Sequence, residues 1–268
     1  MHFRTNGGVD IVYNARGSGR PLAFLHPIGM RGEFWQPVID ELGDGYRTLA
    51  IDLRGHGESG VNDGPFSLDD LSNDVADLIG AKGEAGAVVI GCSLGGMVAQ
   101  GVAIKIPHLL GGLVLAGTSH KQTPESQAMM EKRAAEALGG MSSIAAATLD
   151  RWFPKPFRDA RPDVVKTVGG WLLAADATVF SRGWLAIRDL NYEAQLPQIE
   201  LPALLIRGSE DASTPLPRMQ AMADLMPNGR FVSMKDVGHF APMQEPGDFA
   251  KLIREFVEDK VARLARGG

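Results

Sequence analysis

The chain has 268 residues, a formal charge of −5, and 44% hydrophobic against 22% charged residues. That balance excludes a disordered or fibrous chain, and the net negative charge argues against nucleic acid or an anionic membrane as the partner. The single cysteine, Cys92, excludes an intrachain disulfide, and no apolar run reaches the ~20 residues of a membrane span. Met1 to Gly8 lacks the apolar stretch of a secretory signal, so a cytoplasmic location is expected.

Along the chain, Phe3–Thr5 and Val9–Asn14 read as a hairpin around Asn6-Gly7-Gly8, where positive φ is cheap. Apolar runs of strand length follow at Pro21–Leu25, Tyr46–Ile51, Ala87–Ile90, Leu113–Ala116, Ala203–Ile206 and Arg230–Ser233. Runs apolar on both faces, separated by segments long enough for helices, predict an α/β fold: a mainly parallel sheet flanked by helices on both faces. Lys121 to Gln195 breaks the rhythm. It has 75 residues, no clear strand, helical patterns at Met129–Leu138 and Ile144–Trp152, and prolines at 154, 156 and 162. Crossovers are usually much shorter, so this stretch is expected to be a helical lid (cap) set into a core of residues 1–120 and 196–268.

Ala87–Ile90 leads into Gly91-Cys92-Ser93-Leu94-Gly95, and a helical run from Met97 to Ile106 follows. Strand, tight turn and helix around G-x-S-x-G predict a nucleophile elbow with Ser93 at its apex. Gly91 and Gly95 would spare collisions with the neighbouring strand and helix. Cys92 is the rival nucleophile, but at its position the side chain should point away from the reactive face, as a small buried filler. A serine nucleophile needs a base and an orienting carboxylate, in this fold in the chain order Ser, Asp, His. His239, in Asp236-Val237-Gly238-His239-Phe240-Ala241-Pro242, is the one histidine late in the chain. Asp211 follows the Ala203–Ile206 strand and is the expected acid. Glu210 adjoins it, Asp236 precedes a turn, and Asp189 falls in the lid. The oxyanion donors are expected to be the N–H of Leu94 and, from Phe24-Leu25-His26-Pro27-Ile28-Gly29-Met30, that of Ile28, since Pro27 has none. His26 comes before the serine and is read as shaping this loop. Asp52-Leu53-Arg54-Gly55-His56-Gly57-Glu58-Ser59 matches no phosphate cradle or metal-ligand spacing and is read as structural.

Together the Asp52–Ser59 loop, the elbow, Gly208-Ser209-Glu210-Asp211-Ala212-Ser213-Thr214-Pro215 and Val237–Pro242 resemble the α/β-hydrolase superfamily over nearly the whole chain. Leu149-Asp150-Arg151-Trp152-Phe153, Phe157-Arg158 and Ala186–Leu190 resemble the lid of 3-oxoadipate enol-lactonases and related esterases. That family usually carries Asn-Ser-Leu-Gly where this chain has His26-Pro27-Ile28-Gly29. The resemblance implies hydrolysis of a small enol-lactone or ester in aromatic-compound breakdown. A lactone with a free carboxylate needs a cation near the pocket, for which Arg151 and Arg188 are candidates; Trp152 is a candidate substrate contact. The expected partner is a small-molecule substrate, with no metal or organic cofactor. C–C bond hydrolysis or perhydrolysis on the same triad is the near alternative, and a ligand sensor that keeps the pocket is the remote one.

Overall fold

Strands β1 (His2–Arg4) and β2 (Asp10–Arg16) form the expected hairpin, closed by Gly8 N–H to Thr5 O at 3.0 Å, with Gly8 at a φ of +73°. They belong to the computed structural model of the chain, which describes residues 1–258. The remaining strands are β3 (Arg20–Leu25), β4 (Tyr46–Ile51), β5 (Ala87–Cys92), β6 (Leu110–Ala116), β7 (Ala203–Gly208) and β8 (Gly229–Met234). One sheet holds all eight in the order β1-β2-β4-β3-β5-β6-β7-β8. β2 meets β1 and β4 antiparallel, and every pairing from β4 to β8 is parallel.

The helices are α1 (Gln36–Leu42), α2 (Leu68–Lys82), α3 (Leu94–Lys105), α4 (Pro124–Ala137), α5 (Met141–Trp152), α6 (Lys155–Ala160), α7 (Pro162–Ala174), α8 (Ala177–Arg188), α9 (Leu216–Leu225), α10 (Ala241–Gln244) and α11 (Pro246–Phe256). α1 packs on α11, and α2 on α3. Every residue of β5 is buried, and successive residues face opposite sides, so both faces of the sheet are covered there. The chain leaves β3 for β4 on one side and returns to β5 on the other. That reversal falls between the carboxyl ends of β3 and β5, the usual ligand position in open parallel sheets.

The boundaries differ from the sequence expectation where local chemistry was misread. β6 begins three residues early, through Gly111-Gly112. Glycine is a poor strand former, but a Cβ on Gly112 would lie 3.0 Å from the Phe256 ring and 3.1 Å from Pro202 O, so the neighbours need that space. α4 begins at Pro124 rather than Met129, because Thr123 and Ser126 cap each other's backbone N–H groups. Pro156 and Pro162 sit in the first turns of α6 and α7, where a missing N–H costs nothing, so they open helices rather than end them. α4 to α8 lie between β6 and β7. The two ends of this helical segment meet in a bridge between Lys121 and Asn191, flanked by Tyr192 N–H to His120 O at 2.7 Å.

Candidate active site

Ser93 stands between β5 and α3 with φ +53° and ψ −115°. A residue with a Cβ pays about 1–3 kcal/mol for such a conformation. Surrounding bonds fix it: Ser93 N–H donates to Ala116 O at 2.9 Å, and the Thr118 hydroxyl donates to Ser93 O at 2.8 Å. A Cβ on Gly91 would fall 2.2 Å from Gly95 O, and one on Gly95 would fall 2.0 Å from Leu25 O. The glycines thus let the strand, the helix and the loop after β3 touch backbone to backbone. Ser93 itself is half-buried, whereas Cys92 is fully enclosed, its sulfur 4.0 Å from His239 O. Burial first, then the Asp211 charge, pushes the Cys92 thiol up, so it stays protonated and inert.

His239 Nδ1 lies 3.1 and 3.0 Å from the two carboxylate oxygens of Asp211. Both residues are buried. Asp211 Oδ1 also accepts the N–H groups of Ser213 at 2.7 Å and Thr214 at 3.0 Å. Burial alone would raise the Asp211 carboxyl; the His239 imidazole and those two N–H groups outweigh it and hold the group below its ordinary 3.8. Among the other carboxylates weighed, Asp236 is exposed beside Lys235 at 3.9 Å, Glu210 turns to the Ser209 hydroxyl, and Asp189 pairs with Arg188.

The sequence reading overlooked Arg207. Its buried guanidinium donates to Thr214 O at 2.8 Å, Ser209 O at 3.1 Å and Asp211 O at 2.9 Å, and so holds the loop that carries Asp211. The signal was a charged residue closing an apolar strand. Glu210 N–H donates to Val237 O at 2.8 Å, and a Cβ on Gly208 would come within 2.1 Å of that oxygen. The acid and histidine loops are therefore bound directly to each other. Gly117, at φ +48°, backs the pair: a Cβ there would lie 3.1 Å from His239 Nδ1.

Ile28 and Leu94 are buried, and among the described residues no acceptor engages either N–H. Close packing of Gly95 on the Leu25 and His26 backbone brings their two loops together. His26 serves this loop as expected: Nδ1–H donates to Pro27 O at 2.7 Å, and Nε2 accepts the Leu53 N–H at 2.9 Å. This pattern requires the neutral ring, and burial, then neighbouring His56, lowers its pKa well below the ordinary value. In the Asp52–Ser59 loop, Asp52 accepts the N–H groups of Gly32 and Glu58 at 2.6 and 2.9 Å, and Arg54 forms a buried fork with Asp74 at 2.7 and 2.9 Å. No metal-binding group of histidines, cysteines or carboxylates occurs among the described residues.

The three candidate substrate contacts part company. The Trp152 ring is buried and stacks on Phe240 at 4.5 Å, and its carbonyl accepts the His239 N–H at 3.0 Å. Arg188 is tied to Asp189 at 2.7 Å and Glu131 at 3.3 Å and borders a different cavity from Arg151. Arg151 lines a cavity between α4, α5 and α8 with Arg133 and Trp184.

The profile of the alpha/beta hydrolase family matches residues 22–252, and the chain belongs to that family. It is 27% identical over 254 residues to 3-oxoadipate enol-lactonase 2 of Acinetobacter baylyi, covering 93% of this chain and 94% of that one. It is 32% identical over 252 residues to a pimeloyl-[acyl-carrier protein] methyl ester esterase of Aromatoleum aromaticum, covering 88% and 97%. Among solved structures, a thermophilic esterase from Thermogutta terrifontis with malate bound superimposes with a TM-score of 0.90 at 28% identity, over 97% of this chain and 98% of that one. Relatives among both lactonases and esterases support an enzyme that hydrolyses esters or lactones. No helix among the described residues is long and apolar enough to cross a membrane.

Proposed function

We propose that the chain cleaves a small carboxylic ester or lactone through an acyl-enzyme on Ser93, with α4 to α8 as a lid over the site. The observation that carries this reading is the buried His239–Asp211 pair at 3.0 Å, on loops after β7 and β8 of the sheet whose β5 ends in the strained Ser93. Ser93 attacks the carbonyl carbon while His239 Nε2 takes its proton. Asp211 holds the Nδ1 proton and stabilises the imidazolium. Negative charge gathering on the carbonyl oxygen is met by the N–H groups of Ile28 and Leu94, reinforced by the amino end of α3. His239 then returns the proton to the leaving alkoxide or enolate. Water, deprotonated by the same imidazole, releases the acid. The relative named 3-oxoadipate enol-lactonase 2 favours an enol-lactone-like substrate.

The test is a panel of enol-lactones, aryl esters and ring-cleavage diketones with the purified wild type and Ser93→Ala. Turnover of a lactone or ester is expected, falling on the order of 10⁶-fold in the variant. Turnover of diketones alone would favour C–C bond hydrolysis, and full activity in the variant would refute the mechanism.

A further inference from the structure

Two arginines in the helical segment share a cavity, and neither is hydrogen-bonded or ion-paired to an acid. Arg133 of α4 and Arg151 of α5 line a space of about 360 Å³ together with Glu136, Thr148, Phe180 and Trp184. The two arginines buried among the described residues are engaged, Arg54 by Asp74 and Arg207 by three carbonyls. By contrast, among the described residues neither Arg133 nor Arg151 has a hydrogen-bond or ion-pair partner. Arg133 lies over the Trp184 ring at 4.8 Å, and Trp184 Nε1–H is buried without an acceptor. Glu136, the one acid on the cavity wall, attracts both guanidiniums without bonding to either and forms its ion pair with Lys132 at 3.8 Å. Burial first, then the Arg133 charge, brings the Arg151 guanidinium down to about 10; burial also lowers Arg133. Both arginines are half-buried, and a single acid faces two cations on one cavity wall, so an anion there would gain charge-assisted hydrogen bonds from both.

We propose that Arg133 and Arg151, with the Trp184 indole N–H, form a binding site for a carboxylate. The planar guanidinium fork matches a carboxylate's two oxygens. The site adjoins both halves of the catalytic apparatus. Arg151 precedes Trp152, whose carbonyl holds the His239 N–H. On α8, Phe180 touches the position of Gly29 and Gly183 that of Ile28: a Cβ on Gly29 would lie 2.7 Å from the Phe180 ring, and one on Gly183 2.9 Å from Ile28 Cδ1. A carboxylate between α4, α5 and α8 therefore pins the helices that back the histidine and oxyanion loops. It comes either from the far end of an acidic substrate, which rests on the hydrolase reading above, or from a free small acid.

Adipate binding by isothermal titration, which needs no turnover, tests the site. Wild type is expected to bind adipate, with affinity falling roughly 10- to 100-fold in Arg133→Gln and in Arg151→Gln and partly retained in Arg151→Lys. Thermal unfolding without adipate is expected to leave Arg151→Gln at least as stable as wild type, because repulsion from Arg133 is relieved; a purely structural role of Arg151 would make it weaker. Phenyl hexanoate and the monophenyl ester of adipic acid separate the sources. If the substrate supplies the carboxylate, the Gln variants lose kcat/KM for the acidic ester alone; if a free acid supplies it, the two esters keep their ratio while adipate binding is lost. Equal adipate affinity in all variants, or no binding by wild type with an unchanged ester ratio, overturns the proposal. Arginine-dependent adipate binding with neither ester cleaved would leave the site standing and sink the hydrolase reading instead.

Discussion

Among the described residues only Ser93 and Asp236 carry a side chain at positive φ. An aspartate tolerates the left-handed region through local hydrogen bonding, whereas a serine at ψ −115° does not. The strain at Ser93 is offset by tertiary contacts, namely Ala116 O, the Thr118 hydroxyl and the two flanking glycines. Ser93 and His239 were legible because their neighbours announce the turn and the loop. Arg207, Gly117 and Trp152 were not legible as supports, because each acts through a backbone atom of a residue distant in sequence. Asp211 is the carboxylate that meets His239 Nδ1, at 3.0 Å. Asp211→Asn preserves the shape but presents the wrong hydrogen-bonding group to Nδ1. Its kcat on any ester turned over by wild type is expected to fall roughly 10³- to 10⁴-fold with the fold intact by circular dichroism. A loss under tenfold would mean that another group orients His239.

At the level of elements, the sheet is readable from apolar runs because β5 to β7 are buried on both faces. The helical segment is less readable. α4, α6, α7 and α8 begin at caps or prolines rather than at periodic apolar residues, so α4 begins before its predicted start and α6 to α8 had no predicted spans; α5 begins three residues early, after Gly140. Glycines show the same contrast between local and tertiary causes. Gly95 lies where a Cβ would strike Leu25 O at 2.0 Å, whereas in α7 a Cβ on Gly170 meets nothing within 4 Å. Gly95→Ala is expected to abolish soluble folded protein or its activity. Gly170→Ala is expected to raise stability by about 0.5–1 kcal/mol in urea unfolding. A neutral Gly95→Ala would show that the elbow is not packed as described.

Besides His239, the described residues include three more buried histidines, His26, His56 and His120. Burial leads the causes that lower each of them, aided at His26 by His56 and at His120 by Lys121. In the unfolded chain these rings take up protons near the ordinary 6.5, while in the folded chain they stay neutral to lower pH. Between those values the unfolded state binds more protons, so stability is full above about pH 6.5 and falls as the pH drops below it. The expected slope is about 1.4 kcal/mol per pH unit for each ring still neutral in the folded state. Asp211 adds a second loss below its ordinary 3.8, since its folded value is lower still. Urea unfolding at pH 7.5, 6.0 and 5.0 checks this, and a flat profile would contradict neutral burial of the histidines.

The central claim, a serine nucleophile at the apex of the elbow, is tested most directly by covalent capture. The protein is treated with an alkyl fluorophosphonate and the modified residue is located by peptide mass spectrometry. A single adduct on Ser93, absent in Ser93→Ala and slowed in His239→Gln, is the predicted result. An adduct on Cys92, or none at all on a folded enzyme that turns over esters, would contradict the account.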